Sequence, residues 1–253
     1  TTGAPKAAAA ASGLIGIFDE KNDNLRLNAA LALGKMGKDA VPPLLKALDH
    51  KEADVRFFAV WSLAWIGPEA KSAAGKVIHL LGDANDNVRR KAAYALGRLT
   101  PEPKAAVVEL FKALNDKNPD VRQAVQDALA SFGKDAVPAL RAHLAKDQPL
   151  ELRRWCLQLS SALGPQAREA LPEIRAQFFD AADLRAEAGA ALAKVGKDAL
   201  PVLRQALTSD QQALQLAAVQ ALKIMGADAG AELVDALGAK DKEVRRLAAQ
   251  SLS

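Results

Sequence analysis

Residues 121–133 read VRQAVQDALASFG. The apolar positions Val121, Val125, Ala128, Leu129 and Phe132 follow the i, i+4, i+7, i+8 spacing that lays one apolar stripe along a helix. The closing glycine can take the left-handed conformation that ends such a helix. Written V-R-x-x-A-x-x-A-L-x-x-x-G, the same phrase starts again at Leu25, Val55, Val88, Leu152, Leu184 and Leu214, and in shortened form at Val244, so that successive starts fall 30 to 33 residues apart. Glycine closes it at Gly37, Gly67, Gly133, Gly164, Gly196 and Gly226, with Thr100 the one departure. Each phrase is read as one helix, B.

A second helix, A, lies between phrases, as in GKDAVPPLLKALD (37–49), GKDAVPALRAHLAKD (133–147) and GKDALPVLRQALTSD (196–210). Pro42, Pro138 and Pro201 fall in the first turn of A, where a missing N–H costs little. Asp39, Asp135 and Asp198 just before them are expected to be N-caps or first-turn carboxylates. A unit of about 30 residues cannot bury its own stripe, so neighbouring pairs must stack into a shared core. Alanines at phrase positions 5 and 8, such as Ala92 and Ala95 or Ala218 and Ala221, let the stacked helices approach closely. The expectation is an all-α, right-handed α-solenoid of about eight helix pairs over residues 13–253, after a low-complexity lead-in at 1–12 that frays at its start and turns helical at the alanine run.

Composition agrees, with half the residues apolar, a quarter charged and 4% aromatic. The 34 basic residues face 30 acidic ones, an even balance that permits a nucleic-acid partner without demanding one. A single cysteine, Cys156, cannot form an internal disulfide, and no apolar run approaches the ~20 residues of a membrane span. The chain opens on Thr1, not methionine, so a preceding segment is expected to have been lost, which leaves the compartment open. The last phrase stops after ten residues at Ser253, so the chain is expected to be a fragment of a longer protein or to be covered by a neighbour in a larger complex.

The phrases carry a resemblance to the HEAT-repeat family, in the bacterial short-repeat branch called PBS-lyase HEAT-like, over nearly all of 41–253 and more weakly in the first unit. That resemblance implies a structural ladder in which the position-2 arginines, Arg26, Arg56, Arg89, Arg122, Arg153, Arg185 and Arg245, meet acids preceding the B helices: Asp49, Asp83, Asp116, Asp147, Asp180 and Asp241. Gln215 breaks the series. It also implies that B helices line a concave face, to which positions 3, 7, 10 and 11 project. Position 7 runs Leu31, Trp61, Tyr94, Asp127, Gln158, Ala190, Gln220, Gln250, so the large residues gather at the start.

The phrase from Val55 holds four of the chain's eleven aromatics, and Phe57, Trp61 and Trp65 are spaced to project from one side of its helix. Leu27 and Leu31 precede this strip, and Arg90, Tyr94 and Arg98 follow it. Rings bordered by arginines have the composition of an interface centre, and these eight residues are the candidate partner-binding set. The competing reading is that the rings fill core. For Trp155, at position 4, and for one of Phe178 and Phe179 in helix A, packing is the better account.

No pattern for catalysis, cofactor or metal emerges. His50, His79 and His143 are scattered, without the His-Glu pairs by which HEAT-repeat hydroxylases hold iron, and Cys156 takes a slot where other units have alanine. The sequence therefore points to a non-enzymatic scaffold that grips a helix or extended segment of another protein and needs no cofactor. Two alternatives come from the resemblance: a bilin-lyase-like subunit, and a DNA-binding protein similar to alkylpurine glycosylases, with Asp127 as the acid among Arg90, Arg98, Arg154, Trp61 and Trp155.

Overall fold

The computed structural model describes residues 3–99 and 103–252; Thr100, Ser253 and the first two residues of the lead-in lie outside the described residues. Among the described residues the regular structure is entirely helical, an all-α solenoid of helix pairs. The chain divides into two compact units, one ending at Phe132 and the other beginning at Gly133.

In the first unit the B helices are α2 (Asp23–Met36), α4 (Ala53–Ile66), α6 (Asp86–Leu99) and α8 (Pro119–Ser131), stacked in that order. Behind them lie α1 (Gly3–Gly16), α3 (Val41–Ala47), α5 (Ala74–His79) and α7 (Lys104–Ala113). The lead-in is thus helix from Gly3, and it is docked, since Ala11 is fully buried. In the second unit α10 (Leu150–Leu163), α12 (Arg185–Val195), α14 (Gln212–Met225) and α16 (Lys242–Ser251) stack as B helices, with α9 (Val137–His143), α11 (Leu171–Asp180), α13 (Leu200–Leu207) and α15 (Gly230–Ala236) behind. The core is built from phrase positions 1, 5, 8 and 9, as with Val88, Ala92, Ala95 and Leu96, each fully buried.

The turns refine the sequence reading in three ways. The closing glycines Gly37, Gly67, Gly164, Gly196 and Gly226 do not adopt the left-handed helical well. Gly37 has φ 64° and ψ −142°, and Gly67 has φ 71° and ψ −141°, a region with essentially no room for a Cβ and so a stricter demand for glycine. Next, the Gly-Lys-Asp-Ala stretches are single 3-10 turns, so Asp39, Asp135 and Asp198 sit inside those turns and cap no A helix; α3, α9 and α13 have no side-chain N-cap, and their prolines begin the helices directly. Third, position 10 is turned toward the next B helix in most phrases, Lys223 being the exposed exception. Ala64 is fully buried, and at Gly34 an added Cβ would stand 2.7 Å from the Trp65 Cβ. A small residue at position 10 of one B helix is what admits position 11 of the next.

Five of the seven position-2 arginines share one habit. Arg56 donates to the carbonyls of His50 and Lys51, Arg89 to those of Asp83 and Ala84, Arg122 to those of Asp116 and Lys117, and Arg245 to those of Ala239 and Lys240. Arg185 likewise takes the Phe178 and Phe179 carbonyls, whereas Arg153 donates to Gln177. Two reach forward as well. Arg56 grips Asp83 at 2.7 and 2.8 Å, and Arg89 grips Asp116 at 2.6 and 2.9 Å. Each of these carboxylates also accepts the amide of an asparagine two residues on, Asn85 or Asn118, whose side chain caps the following B helix. The other acids meet different donors: Asp49 pairs with Lys76, Asp180 with Lys146, and Asp241 caps α16 while accepting from Gln212; Arg26 pairs with Asp23 and Asp54. Gln215 keeps the loop contact of the missing arginine through the Leu207 and Ser209 carbonyls.

Candidate functional site

Helix α4 sets the site because its phrase places a ring at every turn. Phe58 is the inward member, 7% exposed, stacked on fully buried Phe18 at 5.5 Å. Trp61 lies against Phe58 at 5.9 Å with planes 22° apart, and meets Phe57 edge-on at 5.6 Å. The rings thus form a continuous row from the core to the surface. Phe57 and Trp61 are half-buried, whereas Trp65 is 51% and Tyr94 46% exposed. Packing and display are both true of this strip. Its inner edges hold α4 against its neighbours, and its outer faces meet solvent.

Leu27, Phe57, Phe58 and Trp61 line a cavity of about 390 Å³, within the range of small-ligand clefts, whose rim carries Asp23 and Asp54 bound to Arg26. Leu31 is half-buried and, like Trp65, does not line it. The Arg26 guanidinium also lies 5.3 Å from the centre of the Phe58 ring.

The other flank holds a residue that the sequence reading missed. The Lys91 ammonium of α6 sits 4.2 Å from the Trp61 ring centre, 5.1 Å from Tyr94 and 5.3 Å from Phe57. Burial, with a smaller push from neighbouring Arg90, brings its pKa down to about 8. The three ring faces act in the opposite sense and favour the cation. The signal was present in the sequence: Lys91 is at phrase position 4, where α4 and α10 have Phe58 and Trp155, and a lysine at a core-edge slot needs a partner. Arg98 lies 5.8 Å from the Tyr94 ring centre and donates to the Ala64 carbonyl, while exposed Arg90 donates to Asn87. The structure therefore brings Leu27, Phe57, Trp61, Tyr94, Arg90 and Arg98 into one patch around Lys91.

Elsewhere the candidate chemistry is absorbed by packing. Asp127 is exposed and accepts from Gln123, and Arg154 is held by Glu151 and Glu187. Phe178 is fully buried and Phe179 half-buried under Arg175. Cys156 is fully buried, which pushes its thiol up to about 12. Among the described residues no group of three or more His, Cys, Asp or Glu side chains could hold a metal, and no helix is long and apolar enough to cross a membrane.

A family model described as HEAT repeats matches residues 11–75, 74–160 and 170–253. No curated protein sequence matches the chain. Among solved structures, the complex of CpcE and CpcF of phycocyanin lyase from Nostoc sp. PCC7120 is 27% identical over 60% of this chain and 98% of that chain, with a TM-score of 0.49. Kap121p is 15% identical over 92% of this chain and 30% of its own, with a TM-score of 0.54, a likeness of fold alone. Human deoxyhypusine hydroxylase, solved with glycerol, is 19% identical over 99% of this chain and 97% of its own, with a TM-score of 0.40.

Proposed function

We propose, from the premise that the chain belongs to the HEAT-repeat family, that it is a non-enzymatic scaffold whose α4–α6 face, centred on Trp61, grips a segment of another protein. One observation carries this reading. Four aromatic side chains, Phe57, Trp61, Trp65 and Tyr94, share one face of two neighbouring B helices and retain exposed surface although the helices that bear them are fully packed on their other sides. Large rings left at a surface next to a cleft and flanked by arginines are what interface hot spots are made of. They are anchored, too: Trp61 stacks on a buried ring, and the Cβ of Trp65 rests on Gly34, so little conformational freedom is lost when a partner covers them.

The test is affinity capture from the source cells, with quantitative comparison of the wild type and the Trp61→Ala, Trp65→Ala double variant, both checked for fold by circular dichroism. Recovery of at least one protein is expected to fall about tenfold or more, the loss typical of one or two hot-spot residues. Equal recovery of every partner refutes the reading. Two further titrations separate the alternatives: salt-dependent binding of duplex DNA would favour a nucleic-acid role, and a visible absorbance gained on mixing with free bilin would favour a tetrapyrrole carrier.

A further inference from the structure

The cations around the rings differ from the arginines that close the loops and from those paired across repeats: Arg122, Arg185 and Arg245 are turned onto loop carbonyls. Arg56 and Arg89 are closed by Asp83 and Asp116, and Arg154 and Arg204 by glutamates. By contrast, no carboxylate among the described residues lies within ion-pair distance of Arg90, Lys91 or Arg98. Acids on this and the neighbouring B helices are engaged elsewhere, with Asp23 and Asp54 on Arg26, Asp86 accepting from Asn118 and Asp127 from Gln123. Any surface that covers Trp61 and Tyr94 also covers Lys91, whose ammonium lies within 5.1 Å of both ring centres, and Arg98, which lies 5.8 Å from Tyr94. A purely apolar partner would strip water from these cations and return nothing, which costs more than the remaining ring area restores.

We infer that the α4–α6 face takes an acidic peptide segment of a partner protein, one that places Asp or Glu against Lys91 and the flanking arginines beside an aromatic or aliphatic anchor on Trp61. This rests on the reading of that face as a protein-binding surface and specifies its partner's chemistry. The segment supplies the carboxylates that Arg90, Lys91 and Arg98 lack among the described residues, while its anchor covers the rings. A phosphate backbone fits less well, because the cations are confined to one helix, α6. The next B helix, α8, presents Gln123 and Asp127, while α4 before it presents Asp54 and the rings and α2 presents Asp23, so the described residues offer no continuous cationic track for a chain of phosphates on this unit.

A phage-displayed library of random dodecapeptides, selected on the full chain, tests this, with enriched peptides then synthesised and measured by fluorescence anisotropy. The expected winners carry net negative charge and an aromatic or aliphatic residue. They should lose about tenfold or more in affinity on Trp61→Ala and on the charge reversal Arg90→Glu with Arg98→Glu. Exchanging their acids for lysine should restore binding to the reversed protein. The milder pair Arg90→Gln with Arg98→Gln, with a smaller loss, stands in if the reversal perturbs the fold. Winners that depend on Trp61 but are neutral or basic, or that ignore the reversal, overturn the acidic partner and leave the surface intact. Winners indifferent to Trp61, or no enrichment, overturn both. Displacement of a bound acidic peptide by a single-stranded DNA 20-mer at equal concentration overturns the inference in favour of nucleic acid.

Discussion

The Arg89–Asp116 rung offers the sharpest test of how neighbouring repeats are held, because the two side chains are only 7% and 9% exposed and Asp116 supplies the one carboxylate bonded to the guanidinium among the described residues. Asp116→Asn keeps the shape, including one acceptor oxygen, and removes the charge. Arg89 then retains the Asp83 and Ala84 carbonyls but loses two charge-assisted contacts at 2.6 and 2.9 Å. Removing one partner of a buried pair costs about 3–5 kcal/mol. The oxygen that asparagine keeps offsets about 1 kcal/mol of that. A net loss of about 3 kcal/mol lowers the urea midpoint by roughly 1–2 M for ordinary m-values. The acid limb gives an independent check. Burial pushes Asp116 up, but the Arg89 hydrogen bonds, the Asn118 amide and the charges of Arg89 and Lys117 outweigh it, so its folded pKa lies below the ordinary value. A carboxylate lowered in this way stabilises the fold fully above its unfolded pKa, ~3.9, and that stabilisation drains away as pH falls through the folded value. The asparagine variant should lack that share of the acid loss. A midpoint shift below about 0.3 M, with an unchanged acid limb, would refute the idea that the rung joins neighbouring repeats.

Three further outcomes follow from the same contacts. Gly34→Ala forces a Cβ to within 2.7 Å of the Trp65 Cβ, so an overpacking cost of about 1–3 kcal/mol meets a helix-propensity gain of about 1 kcal/mol; lower thermal stability and altered tryptophan fluorescence are expected. Lys91 has a folded pKa of about 8, below its unfolded value, so between about pH 8 and 10.5 the unfolded chain binds more protons and wild-type stability rises with pH; Lys91→Met should abolish that rise in urea titrations. Cys156, with its thiol held up at about 12, should resist iodoacetamide at about pH 8 in the native protein and react once urea exposes it.

The architecture was legible because it rests on periodic chemistry. A stripe at helical spacing, a glycine stop and a proline start repeat at phrase after phrase, and each copy votes for the same pattern. What the sequence could not convey was the relation between copies. Position 10 looked outward on a single helical wheel, yet Ala64 is buried and Gly34 touches Trp65, because its exposure depends on the next helix. The Asp39 turn looked like a cap because a 3-10 turn and the first turn of an α-helix want the same residues. Lys91 is hidden by an averaged pattern, because it directly follows Arg89 and Arg90 and reads as one more surface charge at a position where other phrases carry Phe58 or Trp155.

The loop carbonyls taken by Arg56, Arg89, Arg122, Arg185 and Arg245 lie five to seven residues upstream of each arginine, inside the same turn. Each of these hairpins therefore carries its own buckle. A hairpin fastened in this way needs nothing from its siblings to hold its own loop, and where glutamine stands in for arginine at Gln215 the clasp is still made within the same copy.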